Sequence, residues 1–250
     1  MSYHAGRWKK KVVLIGTSKY LDFLSKFGVG GAHPGGIQLT KELFLTENIH
    51  KNSRILDIGC GTGQTAAYLA TRYGAKVTGL DINPIMIEKA KARIQKYQLP
   101  VEIIQGSIEN CPLKDEQFDF IISESVLSFV NIPNSLQEIF RLLKKNGRFL
   151  ANELTINHPL KNPLMKEIKQ FYGFDSILLE PQWIALLGQA GFKNIWIRRP
   201  NLSPPQTNQN TEFQYSEHIE PELFSVMVQH FNMMADYQGI LDYRIFSCTK

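Results

Sequence analysis

The sequence has few cysteines and no long apolar run, and each shortage excludes a class of protein. Its three cysteines, Cys60, Cys111 and Cys248, cannot all pair with one another, and none lies in a CxxC spacing. This favours a reducing compartment and argues against a zinc site. No apolar run approaches the ~20 residues that cross a bilayer, and the basic and apolar segment 7–15 is too short to be a signal peptide. We therefore expect a soluble cytoplasmic protein of ordinary globular composition.

The chain also lacks a continuous charge of one sign, although its formal net charge is +5. Residues 1–52 carry eight Lys or Arg against three acids, whereas residues 199–240 carry one Arg against five acids. A basic N-terminal segment is thus partly offset by an acidic segment nearer the C-terminus. This asymmetry disfavours nucleic acid as a partner, and it leaves open a weak affinity for an anionic membrane surface.

Short β-branched runs alternate with helical patterns from about residue 53 to residue 155, which is typical of a parallel α/β sheet. Asn83 followed by Pro84 is a well-formed helix start, whereas three prolines in residues 199–210 indicate a loop. Strands are predicted over residues 55–58, 77–81, 101–105, 118–123, 147–154, 192–197 and 243–248. Helices are predicted over residues 62–73, 84–99, 135–144, 164–172, 181–189 and 221–237.

The most informative segment is LDIGCGTG at residues 56–63, which ends one predicted strand and opens a helix. Glycines at such a turn let a ligand approach the backbone, and the first amides of the helix face that ligand. Asp81 ends the next strand, where a carboxylate accepts hydrogen bonds from two ribose hydroxyls. The sequence therefore predicts a ligand that contains adenosine.

The spacing of the glycines and the position of Asp57 indicate which adenosine derivative it is. The dinucleotide fingerprint is GxGxxG, but here the third glycine comes one residue early, and Gln64 follows it. Asp57 would repel a pyrophosphate and attract an ammonium or a sulfonium. These features favour S-adenosylmethionine over NAD, and a nicotinamide-dependent oxidoreductase is the weaker alternative. Asp57 could also cap the loop or the helix, and the two roles can coexist.

Several motifs in order resemble the class I S-adenosylmethionine-dependent methyltransferases, especially the ubiquinone/menaquinone-type and small-molecule group. After LDIGCGTG come VTGLDINP at 77–84, QGSIENCPL at 105–113, FDFIISESVLSFV at 118–130 and RLLKKNGRFL at 141–150. The resemblance implies an α/β, Rossmann-like, doubly wound sheet of seven strands with helices on both faces. It further implies that the sheet is mostly parallel, with an antiparallel last strand, and that the cofactor is S-adenosylmethionine, released as S-adenosylhomocysteine.

The resemblance assigns the glycine turn to the methionine part of the cofactor. Asp57, Gly59 and Gly61 are expected to lie beside it. Cys60 and Thr62 are expected to contribute their backbone groups.

The remaining motifs are assigned to the nucleoside and to the methionine ammonium. Asp81 is expected to hold the ribose, and Ile82 to cover one face of the adenine. Ser107 and Ile108 are expected to meet the adenine edge, Ile108 through its amide. Most relatives have Asp in place of Ser107, which implies a weaker bond to the adenine amino group. Ser123 is expected to present its carbonyl to the methionine ammonium, although plain strand-end packing is the alternative for Ile82, Ile108 and Ser123.

Methyl transfer from a sulfonium is an in-line displacement that needs alignment of the acceptor and, for some acceptors, a base. Glu124, which follows the fourth strand, is the candidate base, and a salt-bridged or capping acid is the alternative. Residues 123–126 are Ser-Glu-Ser-Val and lack the Asn/Asp-Pro-Pro-aromatic signature of DNA amino-methylating enzymes, which disfavours methylation of a nucleic-acid base. No pair of histidines has metal-ligand spacing with a carboxylate partner, so we expect no metal.

Two attachments to the predicted methyltransferase domain, residues 53–250, carry most of the uncertainty about function. Residues 1–52 are predicted to be an N-terminal helical arm or lid, with Tyr20 on its helix. Its glycine-rich segment 27–36 is predicted to be a hinge of the lid or a simple connection between two helices. His33 in that segment is predicted to be a base or an exposed loop histidine without function.

Residues 199–240 are predicted to be an insertion that forms a substrate-side cap. Its helix has a Met/Phe stripe that predicts packing against the sheet, or alternatively the wall of an acceptor pocket. The stripe consists of Phe224, Met227, Val228, Phe231 and Met234.

The sequence therefore predicts transfer of a methyl group from S-adenosylmethionine to an oxygen, nitrogen or carbon atom of a small molecule. The nearest alternative is a lipid or quinone methyltransferase that works at a membrane surface with help from the basic N-terminal segment. A non-catalytic S-adenosylmethionine-binding protein and an NAD-dependent oxidoreductase are the alternatives from other classes.

Overall fold

The computed structural model describes residues 18–199 and 211–250, so most of the predicted loop 199–210 lies outside the described residues. The strands are β1 (Val29–Gly30), β2 (Arg54–Ile58), β3 (Lys76–Asp81), β4 (Val101–Gln105), β5 (Phe118–Glu124), β6 (Leu143–Ile156), β7 (Lys193–Arg198), β8 (Glu212–Phe213) and β9 (Leu241–Thr249). The helices are α1 (Lys19–Phe27), α2 (Gly36–Phe44), α3 (Gln64–Tyr73), α4 (Pro84–Lys96), α5 (Ile132–Leu142), α6 (Asn162–Tyr172), α7 (Glu180–Gln189) and α8 (Glu222–Asp236).

The main sheet has seven strands in the order β4-β3-β2-β5-β6-β9-β7. β2 to β6 are parallel to one another, and β9 runs antiparallel to both β6 and β7. Ile58 pairs with Leu80 on one side and with Ser123 on the other, so the carboxyl ends of β2, β3 and β5 are level. The order reverses between β2 and β5, and open α/β sheets bind ligands at such a point. The predicted fold class is confirmed.

Two helix starts show where local sequence signals decide the structure. Asn83 accepts hydrogen bonds from the backbone N–H groups of Ile85 and Met86, as its predicted capping role requires. The helix predicted over residues 135–144 begins earlier, at Ile132, because Asn131 caps it by accepting from a backbone amide. That helix also ends earlier, at Leu142, because β6 begins directly afterwards.

Helices cover both faces of the main sheet. Leu39 of α2 and Leu69 of α3 pack with Ile55 in the core on one face. Leu136 of α5 and Trp183 of α7 belong to the core on the other face. No helix within the described part of the chain combines the length and the apolar character needed to cross a membrane.

Helices α1, α6 and α8, which we call the outer helix layer, form a third apolar core. Tyr20 and Phe23 of α1, Tyr172 of α6 and Leu223 of α8 are buried together in it. The residues that α8 buries are Leu223, Val226 and Met233.

The prediction that the Met/Phe stripe of α8 packs against the sheet is wrong. Phe231 is 64% exposed, and Phe224, Val228 and Met234 are exposed by half or more. The face of α8 that carries Leu223, Val226 and Met233 is turned inward, into the core that it shares with α1 and α6. Residues 223–235 contain no Asp, Glu, Lys or Arg, so the apolar pattern runs round the helix and does not specify which face is buried.

Candidate functional site

The loop of residues 59–63 between β2 and α3, which we call the glycine loop, depends on its glycines for two different reasons. Gly59, Gly61 and Gly63 all have positive φ, at 64°, 50° and 73°. A Cβ on Gly59 would lie 2.4 Å from Cγ2 of Val126, so packing requires glycine there. Among residues 18–199 and 211–250, a Cβ on Gly61 would meet only the carbonyl oxygen of Gly59, at 4.0 Å. The space at Gly61 is therefore open to a ligand.

Asp81 ties the glycine loop to the end of β3. One carboxylate oxygen accepts the backbone N–H of Gly61 at 2.9 Å, and the other accepts that of Asn83 at 2.8 Å. Burial raises the pKa of Asp81, and these backbone amides oppose the rise. Ile82 beside it is 66% exposed, which leaves an apolar surface next to a carboxylate. This pairing suits a nucleoside, with the ribose on Asp81 and the base on Ile82.

Asp57 is a buried carboxylate with one unused oxygen. It is 3% exposed, and among the described residues its Oδ2 atom has no hydrogen-bond partner. The backbone N–H of Ala66 donates to the carboxylate, which is the capping role considered above. Burial, followed by the charges of Glu124 and Asp81, raises the pKa of Asp57. A buried charge without a partner is costly, so this position fits a cationic group of a ligand such as an ammonium.

The backbones of Cys60 and Thr62 brace the glycine loop. The N–H of Cys60 donates to the carbonyl of Leu80 at 3.0 Å, and its carbonyl accepts the N–H of Gly63 at 2.8 Å. The carbonyl of Thr62 accepts the Nε–H of Arg93 at 2.8 Å. Each of these groups already has a protein partner, so their observed contacts fix the shape of the loop.

The residues expected at the adenine edge lie after β4. The Oγ atom of Ser107 accepts the backbone N–H of Glu109 at 3.2 Å and so caps a short 3₁₀ turn. The side chain of Ile108 is buried in the core. Gln105, which the sequence analysis did not single out, donates to the carbonyl of Ile82 at 3.3 Å. Its position at the end of β4 is the signal that could have identified it.

Ser123 belongs to a buried network that the sequence analysis did not anticipate. Its hydroxyl donates to Oε1 of Glu153 at 2.6 Å, and the backbone N–H groups of Val126 and Leu127 also donate to that carboxylate. Burial raises the pKa of Glu153 to about 7. The network fixes the turn after β5, where Ser125 has a φ of 60°. The available signal was a carboxylate at position 153 within the strand predicted over residues 147–154.

Glu124 is held on both of its oxygens. Oε1 accepts the hydroxyl of Thr40 at 2.7 Å, and Oε2 accepts that of Thr65 at 2.8 Å. The Nε2 atom of His33 lies 3.5 Å from Oε2. Neither oxygen is free and directed at an acceptor in this arrangement. The role of Glu124 as a base stays a prediction, and these contacts fit the alternative of a paired acid.

The interpretation of His33 as an exposed loop histidine is wrong, because its side chain is 6% exposed. The glycine-rich segment folds back over the sheet, and Nδ2 of Asn152 donates to the carbonyl of Pro34 at 2.9 Å. The same Nδ2 atom lies 3.4 Å from Nδ1 of His33. Contacts between such distant positions leave no local pattern in the sequence.

The arm and the insertion meet beside the glycine loop. Gly30 of β1 pairs with Glu212 of β8 in a two-stranded antiparallel sheet. The carboxylate of Glu212 accepts Nε2–H of Gln64 at 3.0 Å and lies 2.8 Å from the guanidinium of Arg93. The insertion therefore contacts the start of α3 directly, and the arm is joined to that contact through β1.

The carboxyl edge of the sheet is strongly acidic. Four carboxylates gather there, and among residues 18–199 and 211–250 none of them forms an ion pair with Lys or Arg. Within the same ranges, no group of three or more His, Cys, Asp or Glu side chains is placed to hold a metal ion. The site thus offers carboxylate oxygens to an organic cation. The four are Asp57, Asp81, Glu124 and Glu153.

Comparison with known proteins finds similarity to methyltransferases. A methyltransferase domain family matches residues 56–151. The chain is 37% identical over 233 residues to the uncharacterised methyltransferase YodH of Bacillus subtilis (strain 168), covering 93% of this chain and 100% of that protein. It is 34% identical over 144 residues to the ubiquinone/menaquinone biosynthesis C-methyltransferase UbiE of Bartonella quintana, covering 56% of this chain and 54% of that protein.

A solved structure shares the fold at low sequence identity. It is phosphoethanolamine N-methyltransferase 2 of Haemonchus contortus in complex with S-adenosyl-L-methionine. The TM-score is 0.73 at 18% identity, and the alignment covers 93% of this chain and 56% of that chain.

Proposed function

We propose that this chain, which belongs to the class I S-adenosylmethionine-dependent methyltransferases, transfers the methyl group of its cofactor S-adenosylmethionine to a small-molecule acceptor. The observation that carries the site assignment is the buried Asp57, whose free oxygen lies next to a glycine loop that is open at Gly61. A cationic ligand with a slender chain fits this combination, and a pyrophosphate does not.

The methionine end of the cofactor is assigned to the glycine loop. Asp57 would bind the ammonium, and Gly61 would let the chain of the ligand lie against the backbone, with Gly59 beside it. The carbonyl of Ser123 would accept a second hydrogen bond from the ammonium. When bound, S-adenosylmethionine supplies an electrophilic methyl group on a sulfonium. The protein then has to align the acceptor with that methyl group and exclude water.

The nucleoside end is assigned to the ends of β3 and β4. Asp81 would accept hydrogen bonds from the ribose hydroxyls while it keeps its hold on the glycine loop. Ile82 would cover one adenine face with its exposed side chain. Ser107 and the amide of Ile108 would meet the adenine edge, and Gln105 is a further candidate because it already contacts Ile82.

The small-molecule acceptor is supported by the surroundings of the site and by the relatives. The arm brings Thr40 and the side chain of His33 to the carboxyl edge, where both approach Glu124. UbiE and phosphoethanolamine N-methyltransferase bear the names of small-molecule substrates or pathways. Oxygen, nitrogen and carbon acceptors all fall within the proposal. Among the proposed site residues, Glu124 is assigned the position nearest the methyl group and the acceptor atom.

A quinone or lipid acceptor at a membrane surface is the second candidate. The exposed apolar face of α8, which includes Phe224 and Phe231, favours it. Co-sedimentation with phospholipid vesicles tests this candidate. The expected result is binding that Phe231→Ser weakens, and absence of binding to both zwitterionic and anionic vesicles would reject this candidate.

A labelled-methyl screen tests the proposed function. The purified protein is incubated with methyl-labelled S-adenosylmethionine and a metabolite extract, with the Asp81→Ala variant as the control. We expect label in the small-molecule fraction with the wild-type protein and a strong loss of that label with the variant. Label confined to protein or nucleic acid would contradict the small-molecule acceptor.

A further inference from the structure

Glu124 occupies a distinctive place in the sheet. It ends β5 one residue beyond Ser123, which pairs with Ile58 at the end of β2. Glu124 is therefore level with Gly59, the first residue of the glycine loop. This is the point at which the strand order reverses and at which open α/β sheets bind their ligands.

Three elements hold the Glu124 carboxylate in place. Thr40 of α2 and Thr65 in the first turn of α3 donate hydroxyl hydrogen bonds to its two oxygens. His33 approaches the second oxygen from the arm, and the Glu124 side chain is only 7% exposed. Both oxygens of the carboxylate are thus engaged by the protein. The geometry is that of a carboxylate held in place rather than of a base reaching for a proton.

The charge of Glu124 acts on the groups around it. It raises the pKa of Asp57 and the pKa of Glu153, although burial is the larger cause in both cases. Asp57 is itself nine-tenths or more buried, and its Oδ2 atom finds no hydrogen-bond partner in residues 18–199 and 211–250. Glu124 is therefore close enough to Asp57 to act on it electrostatically, and Oδ2 of Asp57 is an unpartnered polar atom beside the glycine loop.

We propose that Glu124 is a specificity-determining anion, which makes the site favour the sulfonium cofactor over the product whose sulfur is neutral. The proposal rests on the proposed function, because it presupposes that S-adenosylmethionine binds at the glycine loop. The arm takes part through Thr40 and His33, which hold the carboxylate beside the loop.

The charge balance of methyl transfer explains what this anion does. The bond from sulfur to the methyl carbon breaks with its electron pair left on sulfur, while the acceptor forms a new bond to that carbon. The positive charge passes from sulfur to the acceptor, which keeps it or releases it as a proton to solvent. The sulfur becomes neutral, and its attraction to Glu124 is lost. Because the attraction is made in the ground state, it favours cofactor binding and product release without lowering the chemical barrier.

Calorimetric titration with two ligands that differ in charge tests the proposal without an acceptor. S-adenosylhomocysteine is neutral at sulfur, and sinefungin carries an ammonium in place of the methylsulfonium. We expect the wild-type protein to bind sinefungin more tightly. Glu124→Gln should reduce this preference by about tenfold and leave the affinity for S-adenosylhomocysteine nearly unchanged.

Glu212→Gln is the matched control, because Glu212 touches the start of α3 but is paired with Arg93. It should change the affinities for the two ligands by the same factor. A preference that survives in Glu124→Gln would overturn the proposal and would favour a base role for Glu124.

The wild-type protein provides a test that does not depend on the folding of any variant. Equal affinity of the wild-type protein for sinefungin and S-adenosylhomocysteine would also overturn the specificity role. Failure of both ligands to bind the wild-type protein would instead reject the proposed function itself, which separates the two failures.

Discussion

The glycine loop and the outer helix layer are held together by different interactions. In the glycine loop, positive-φ glycines, backbone hydrogen bonds and the carboxylates of Asp57 and Asp81 fix a surface that stays open at Gly61. In the outer helix layer, aromatic and aliphatic side chains such as Tyr20 and Leu223 pack without a comparable polar frame. The loop is specified by particular atoms, whereas the layer is specified mainly by apolar volume.

This difference implies different responses to substitution. A methyl group added to a glycine of the loop strains the backbone conformation or fills the space left for a ligand. In the layer, truncation of an apolar side chain lowers the free energy of unfolding in proportion to the burial of that side chain. The following substitutions test that contrast.

Gly59→Ala is expected to have the largest effect. The alanine would adopt positive φ and press its Cβ against Val126, so the free energy of unfolding should fall by about 4 kcal/mol. Gly61→Ala places its Cβ in open space and should cost only about 1 kcal/mol of stability, while S-adenosylhomocysteine binding is lost. Urea unfolding and calorimetry measure the two effects, and equal stability losses would contradict the two roles assigned to these glycines.

Glu153→Gln tests the buried network below the loop through its pH dependence. The pKa of Glu153 is raised to about 7 from 4.5, so the folded state favours the protonated form. This contribution to stability is present below pH ~4.5 and is lost as the pH rises through 7. Relative to the variant, the wild-type protein should lose about 3 kcal/mol between pH 4 and pH 9.

Urea unfolding at several pH values measures this loss. Glu102→Gln, at an exposed position on β4, is the control and should follow the wild-type curve. Parallel curves for the wild-type protein and Glu153→Gln would show that Glu153 ionises as readily in the folded chain as in the unfolded one.

The smallest effect is expected on the exposed face of α8. Phe231→Ala should change the free energy of unfolding by less than about 0.5 kcal/mol, because exposed side chains contribute little. Leu223→Ala, on the buried face, should cost about 3 kcal/mol. Thermal or urea unfolding compares the two variants, and a larger loss for the phenylalanine would show that α8 turns the other face inward.

The parts of the fold that depend on neighbouring residues were predictable from the sequence. The strands of the main sheet, the cap at Asn83 and the glycine loop all have local signals, and the structure places them where those signals indicate. The contact of Asp81 with the loop follows from the same logic, since the carboxyl ends of β2 and β3 are level.

The remaining features depend on contacts between distant positions. The approach of His33 to Glu124 joins two residues separated by 91 positions, which no periodicity encodes. The bond from Ser123 on β5 to Glu153 on β6 forms only because the two strands pair, although 30 positions separate the residues. The buried face of α8 was assigned wrongly because several apolar faces of that helix were available and only tertiary packing selects one.

Calorimetric titration of S-adenosylhomocysteine into the wild-type protein and Asp81→Ala tests the central claim most directly. We expect binding to the wild-type protein, no comparable binding of NADH, and a loss of about 10- to 100-fold in the variant, as removal of hydrogen bonds to a charged group predicts. Asp119→Ala, at the amino end of β5 where Lys144 pairs with it, should leave the affinity unchanged. An unchanged affinity in Asp81→Ala, or tighter binding of NADH, would contradict the assigned site.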